Sequence, residues 1–265
     1  MALHSDEEDE DAFKVQIAEY KEVNPVTSIS VQKQEQVSLV QLKDYLLPSG
    51  KYGGATIINC LGAQPKDNPF LLNARDPSGD STTYGQALDF IKGGEGDLRR
   101  IGIKVGEVVA YAAPPGGGAA AALAFLSIGA QTTAAPLAPS MTEPDVLDAL
   151  DQFHVKHLIL FEGVDAPGVK DAFENYAGKG SARLHTAKLS DDKPGLFSFT
   201  SSQKTDFASA PALENPENGN CLLLRTSGTT ARPKGVPLEQ GSLVNNGAII
   251  AASMQLTDKV SVYEC

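Results

Sequence analysis

Thr226-Ser227-Gly228-Thr229-Thr230-Ala231-Arg232-Pro233-Lys234-Gly235 is the stretch on which the reading of this chain turns. The apolar run Leu222-Leu223-Leu224 leads into it, and Val236 continues the chain beyond it in an extended pattern. A short loop so dense in hydroxyls and glycine suits the oxygens of a polyphosphate. Gly228 has no Cβ to keep backbone away from an anion. Thr226, Ser227, Thr229 and Thr230 add hydroxyl donors, and Lys234 adds a mobile positive charge. Pro233 holds one dihedral just before that lysine. A Ser/Thr/Gly surface loop with a stray lysine would account for the composition of the stretch but not for its order.

The order is not that of the common phosphate loop, in which glycine, four residues and then Gly-Lys-Ser/Thr follow one another. Here Gly228 stands six residues before Lys234, and Lys234 is followed by Gly235. The dinucleotide fingerprint is absent as well. The stretch resembles instead the signature of the adenylate-forming superfamily (acyl-CoA synthetases, peptide-synthetase adenylation domains, luciferases), roughly Thr-Ser-Gly-Ser/Thr-Thr-Gly-x-Pro-Lys-Gly. Its wording through Val236-Pro237-Leu238 is most similar to the oxalyl-CoA synthetase and small acyl-activating branch. Two positions depart from the pattern. Arg225 stands where an aromatic residue or His is usual, and Ala231 stands where Gly is frequent. Arg225 is open to two readings, a phosphate or substrate contact or a solvent-facing side chain.

The resemblance implies a two-step reaction. A carboxylate attacks the α-phosphorus of ATP to give an acyl-adenylate and pyrophosphate, and a thiol, usually that of coenzyme A, then takes the acyl group. Carboxylate and polyphosphate repel, so Mg²⁺ and lysine must neutralise charge while the site positions both groups. By resemblance, Thr226, Ser227, Gly228, Thr229, Thr230, Lys234 and Gly235 would hold the β- and γ-phosphates, Lys234 would act in catalysis, and Thr230 would help to place Mg²⁺. The implied partners are ATP, Mg²⁺, coenzyme A and a small carboxylic acid.

The chain has 265 residues, 42% of them apolar, enough for a substantial core. A net charge of −11 argues against nucleic acid or an anionic membrane as the main partner. Much of that charge sits in the unbroken run Asp6-Glu7-Glu8-Asp9-Glu10-Asp11, which reads as a solvated, disordered tail or, alternatively, an interaction tail. Residues 1–35 are assigned to this tail and its polar approach, residues 36–265 to an incomplete AMP-binding domain. The acidic start fits neither a secretory signal nor a transit peptide. Cys60, Cys221 and Cys265 are too widely spaced for a zinc ribbon or a disulfide framework, so reduced thiols in a cytoplasmic protein are expected. His154 and His157 are expected as surface residues, not as metal ligands. Residues 116–130 are too short and too rich in Gly and Ala for a membrane span.

A helix is expected over residues 38–46 and a strand over 55–60. The turn Asp76-Pro77-Ser78-Gly79 and the stretch Ser81-Thr82-Thr83-Tyr84-Gly85 lead into a helix ending near Gly93. An α/β rhythm follows: strand 108–113, Ala-rich helix 119–128, strand 131–136, and a helix capped by Thr142 with Val146, Leu147, Leu150 and Phe153 on one face. Strand 157–161 is nearly pure apolar, as in a parallel sheet buried on both faces. Helix 169–176, strand 183–186, a long polar connection over 190–219, strand 221–224 and helix 238–254 complete the pattern, with a further strand expected near 256–263. The class is α/β, with a mostly parallel sheet and helices on both faces. By resemblance this is part of the N-terminal large domain of an adenylate-forming enzyme.

The family's later motifs are not found: the acidic metal-binding segment, the ribose-binding aspartate, the hinge and the C-terminal lysine. The expectation is therefore an N-terminal part of a longer ligase, or a mispredicted or spliced gene product. Two other readings stand beside it. One is a fragment without catalysis that serves as a nucleotide-binding or interaction module. The other is a phosphotransferase with an unusual anion loop.

Overall fold

The computed structural model describes residues 56–73, 79–114, 118–180, 182–200, 211–226 and 232–254. The acidic tail, the helix expected at 38–46, the strand expected near 256–263 and most of the turn at 76–79 lie outside them.

Among the described residues a seven-stranded sheet runs in the order β7-β6-β5-β3-β4-β8-β9. Its strands are β3 (Val108–Ala112), β4 (Thr133–Leu137), β5 (His157–Phe161), β6 (Arg183–Leu189), β7 (Phe197–Phe199), β8 (Asn220–Arg225) and β9 (Gly235–Glu239). The five central strands are parallel, while β7 and β9 pair antiparallel at the two edges. A small antiparallel pair, β1 (Pro69–Leu71) and β2 (Thr82–Thr83), stands apart from it. The helices are α1 (Ile57–Gly62), α2 (Tyr84–Ile91), α3 (Gly118–Gln131), α4 (Glu143–Gln152), α5 (Pro167–Gly178) and α6 (Gln240–Ser253), with a 3₁₀ turn at Leu98–Ile101.

Alternation along the strands divides the core into two layers. On β3, Val109 and Tyr111 join Ile57, Phe90, Leu98, Leu123 and Ile128 on the face covered by α1, α2 and α3. Their neighbours Ala110 and Ala112 join Val146, Leu150, Val169 and Phe173 on the face covered by α4 and α5. Helices therefore lie on both faces, as the strand–helix rhythm predicts.

Buried amides tie the later strands to this frame. Asn215 Nδ2 donates to the carbonyls of Gly129, Thr132 and Asn220 at 3.1, 2.8 and 3.0 Å, joining the end of α3 to the start of β8. Gln240, fully buried at the start of α6, accepts from Ile57 N at 2.8 Å and donates to Asn215 O at 2.6 Å. Both satisfy backbone groups that would otherwise be buried without partners.

Four expectations need correction. The strand expected over 55–60 is overturned from residue 57 on: Ile57–Gly62 is helical, with Thr56 Oγ1 accepting from Asn59 N at 3.2 Å. Ile57, Ile58 and Leu61 are buried at helical spacing, and a short apolar run cannot be told apart by periodicity alone. The polar connection over 190–219 contains an edge strand, β7, whose Phe197 packs edge-on against Phe90 and Phe161. Thr142 does occupy the cap position of α4, but its hydroxyl donates to Asp145 Oδ2 at 2.6 Å and accepts no backbone bond. Pro144 in the first turn removes one donor there, and Glu143 and Asp145 suit the positive end of the helix dipole. The fourth concerns His157, which is a core residue and not a surface one.

His157, 4% exposed, opens β5, and His185, 7% exposed, lies beside it on β6. His157 Nε2 stands 3.0 Å from Glu107 Oε2, and His157 Nδ1 stands 3.0 Å from His185 Nε2. A carboxylate only accepts, so Nε2 of His157 carries the proton; Nδ1 of the neutral ring then accepts from His185. Burial lowers the pKa of His157 against the pull of Glu107. Burial, His157 and Arg183 together press His185 down to about 4. Both rings are thus neutral in the fold at pH 7.

Candidate functional site

The carboxyl end of β8 delivers the signature stretch. Because β8 runs parallel to β4, Arg225 and Thr226 emerge at the carboxyl edge of the parallel strands, where open α/β sheets place their ligands. Ser227, Gly228, Thr229, Thr230 and Ala231 lie outside the described residues, as does the proposed metal role of Thr230. Thr226, Arg232, Pro233, Lys234 and Gly235 are described and form the two limbs of the loop.

β9 returns antiparallel along β8, with Arg225 opposite Gly235 and Leu224 opposite Val236. The mouth of this hairpin is closed by one backbone bond and one bond from backbone to side chain. Thr226 N donates to Lys234 O at 3.0 Å, and Lys234 N donates to Thr226 Oγ1 at 3.0 Å. Thr226 is thereby occupied in holding the opposite limb. Lys234 is exposed, and among the described residues its ammonium forms no ion pair. Gly235 has a packing reason: a Cβ there would lie 2.8 Å from Cε1 of the buried Phe153 ring at the end of α4.

α4 is the platform beneath both limbs. Asp148 Oδ2 accepts from Arg225 Nη2 at 2.5 Å, and Asp148 Oδ1 accepts from Arg232 Nη2 at 2.5 Å. Arg225 Nη1 also donates to Asp145 O at 2.9 Å, and Gln152 Nε2 donates to Pro233 O at 3.0 Å. Guanidinium–carboxylate bonds are charge-assisted, which makes them stronger than bonds between neutral groups. Hydrogen bonds from Arg232, then the charges of both arginines, hold the Asp148 carboxyl below its ordinary pKa. Arg225, 12% exposed at its side chain, is therefore not solvent-facing: both of its Nη atoms bond to α4, while its buried Nε has no hydrogen-bond partner among the described residues. Asp148 and Gln152 were invisible as site residues in the sequence. They lie about 80 positions from their partners, and nothing local distinguishes them from ordinary polar positions on a helix.

Among the described residues no group of three or more His, Cys, Asp or Glu side chains could hold a metal ion. No helix among them is long and apolar enough to cross a membrane. Cys60 and Cys221 are free thiols, Cys221 being buried with its pKa pushed up to about 11.

The chain is similar to several known proteins. A curated oxalate–CoA ligase of Arabidopsis thaliana is 34% identical over 161 residues, which cover 60% of this chain and 30% of that protein. The solved structure of ATP-bound MatB from Rhodopseudomonas palustris superposes with a TM-score of 0.53 at 22% identity, covering 75% of this chain and 37% of that one. Apo MatB gives 0.56 at 19% identity, covering 77% and 38%. A structure from a study of fatty acyl-adenylate ligases of E. coli and L. pneumophila gives 0.54 at 19%, covering 74% and 34%. At these identities the structural likeness is one of fold, and this chain spans well under half the length of each relative. The AMP-binding enzyme family matches residues 61–263, most of the sequence and the whole of the β8–β9 site, and the chain belongs to that family.

Proposed function

We propose that this chain supplies the phosphate-holding part of an ATP-dependent carboxylate–CoA ligase of the acid–thiol type, as an N-terminal part of such an enzyme. The observation that carries the reading is the closed mouth of the β8–β9 hairpin. Thr226 and Lys234 hold each other there, while the Lys234 ammonium stays unpaired among the described residues at the carboxyl edge of the sheet. A lysine anchored by its backbone, with its mobile charge left unneutralised, suits a polyphosphate. The oxalate–CoA ligase relative favours a small carboxylic acid as the acyl donor and coenzyme A as the acceptor. The ATP named for MatB favours ATP as the nucleotide.

When bound, ATP would supply the α-phosphorus that the carboxylate attacks, and pyrophosphate would leave. Lys234, with Ser227, Gly228, Thr229 and Thr230, would hold the β- and γ-phosphates and spread the charge of the leaving group. Mg²⁺ would arrive bound to the nucleotide, since such ions keep substrate phosphates among their ligands, and Thr230 is the protein hydroxyl proposed to help place it.

The test is carboxylate-dependent exchange between ATP and pyrophosphate, with oxalate first among the acids tried, for this chain and for a longer protein containing it. Exchange in either supports ligase chemistry. ATP binding with no exchange in both favours the second reading, a nucleotide-binding or interaction module without catalysis. Transfer of the γ-phosphoryl group to an acceptor, with ADP formed, would favour a phosphotransferase instead.

A further inference from the structure

One carboxylate on α4 grips both limbs of the signature loop. Arg225 is the last residue of β8, and Arg232 lies three residues before β9 begins. Between them lie most of the residues proposed to hold phosphate, and Lys234 follows Arg232 by two positions. Asp148 divides its oxygens between the two: Oδ2 takes Arg225 Nη2 and, at 3.3 Å, Arg232 Nε, while Oδ1 takes Arg232 Nη2. Asp145 O on the preceding turn and Gln152 on the next extend the grip to Arg225 and to Pro233. These α4 positions share one helix face by their spacing.

The arginines differ in exposure. The Arg225 side chain is 12% exposed and the Arg232 side chain 63%, with Asp148 between them at 36%. Without the carboxylate, two like charges would face each other at the loop's ends, and each limb would keep a single hydrogen bond to α4, Arg225 to Asp145 O and Pro233 O to Gln152. With it, the spacing of the limbs is set before any ligand arrives, so less ordering is left for binding to offset.

We propose that Asp148 is a positioning residue for polyphosphate binding, fixing the entry and exit limbs of the 226–235 loop through Arg225 and Arg232. The inference rests on the reading of that loop as a phosphate site. Asp148 itself touches no ligand, and its negative charge is absorbed by the two arginines so that it does not repel the anion.

Asp148→Asn keeps the size of the side chain and removes its charge. Two measurements test the idea on the whole chain: ATP titration by calorimetry, and amide hydrogen exchange. The variant should bind ATP roughly tenfold more weakly than the wild type, as when an ordering cost moves into the binding step. The amides of Thr226 and Lys234 should exchange faster, while those of the central strand β5 keep their wild-type rates. A merely structural role would instead accelerate exchange throughout the sheet and leave the affinity of the folded protein unchanged, which overturns the inference. Tighter ATP binding by the variant also overturns it, since Asp148 would then be a competitor that withholds the arginines from phosphate. Failure of the wild-type chain to bind ATP would sink the phosphate-site reading itself, a result distinct from an unaltered variant beside a binding wild type.

Discussion

Thr226 and Lys234 hold one another across the mouth of the β8–β9 hairpin, each amide donating to an oxygen of the other residue at 3.0 Å. The pair places a loop hydroxyl engaged with backbone beside the lysine left unpaired among the described residues. Closure of the loop's base and display of its charge are thus parts of the same small arrangement.

Thr226→Val removes Oγ1 and leaves Lys234 N without its side-chain acceptor. Because both residues are exposed, water replaces much of that bond, and the loss of stability should stay at about 1 kcal/mol or below. ATP affinity should fall more than stability does, and Thr226→Ser should restore it. Denaturant titration and ATP titration of the two variants check this; equal ATP binding by the Val and Ser forms would remove the hydroxyl's role.

Lys234→Ala deletes the charge proposed to act on the leaving pyrophosphate. In a protein competent for exchange, adenylation should slow on the order of 10²-fold or more, the scale seen when an electrostatic stabiliser is removed. The KM for the carboxylate should change much less. Steady-state exchange at varied carboxylate gives both numbers, and equal losses in the two would contradict a transition-state role.

The Glu107–His157–His185 chain makes stability depend on pH. His185 titrates at about 4 in the fold, against an ordinary 6.5 when unfolded, and His157 is lowered as well. Between those values the unfolded chain binds more protons than the native one. Stability is therefore full above pH 6.5 and falls as pH drops toward 4, by an amount on the order of a few kcal/mol. His185→Gln should flatten the fall in Tm across that window. An unchanged pH profile in the variant would mean that other groups govern it.

Gly168 lies in the first turn of α5 against the start of α4. A Cβ there would meet Met141 O at 2.8 Å and Glu143 N at 3.1 Å, both backbone atoms with little room to move. Gly168→Ala should cost about 1–3 kcal/mol despite alanine's better helix propensity, because α4 would have to shift. Thermal unfolding measures this. A second, weaker effect on ATP affinity is expected, since α4 carries Asp148.

Much of the architecture could be read from local pattern. The apolar run of Leu158–Phe161 and the Ala-rich Gly118–Gln131 announce a buried strand and a packed helix. The order of residues 226–235 pointed to the family by its resemblance to a known signature, which a match over ten consecutive positions can carry without any tertiary information. Local pattern failed where two conformations bury the same side chains equally well. Ile57, Ile58 and Leu61 satisfy a short strand on paper, but the Thr56 cap and the contact of Ile57 N with Gln240 select the helix. It failed also at β7, whose three residues are too few to show a period.

Sequence alone therefore determined the α/β class and, through a resemblance, the family, since both rest on residues a few positions apart. Only the tertiary structure decided what holds that loop. Arg225 might have been read toward phosphate or toward water, yet folding brings it to Asp148, 77 positions away, along with Arg232. His157 likewise became a core residue because Glu107 and His185 meet it across neighbouring strands. Ion pairs and hydrogen bonds across such separations leave no periodic trace in a sequence. They exist only once the sheet has set its strand order.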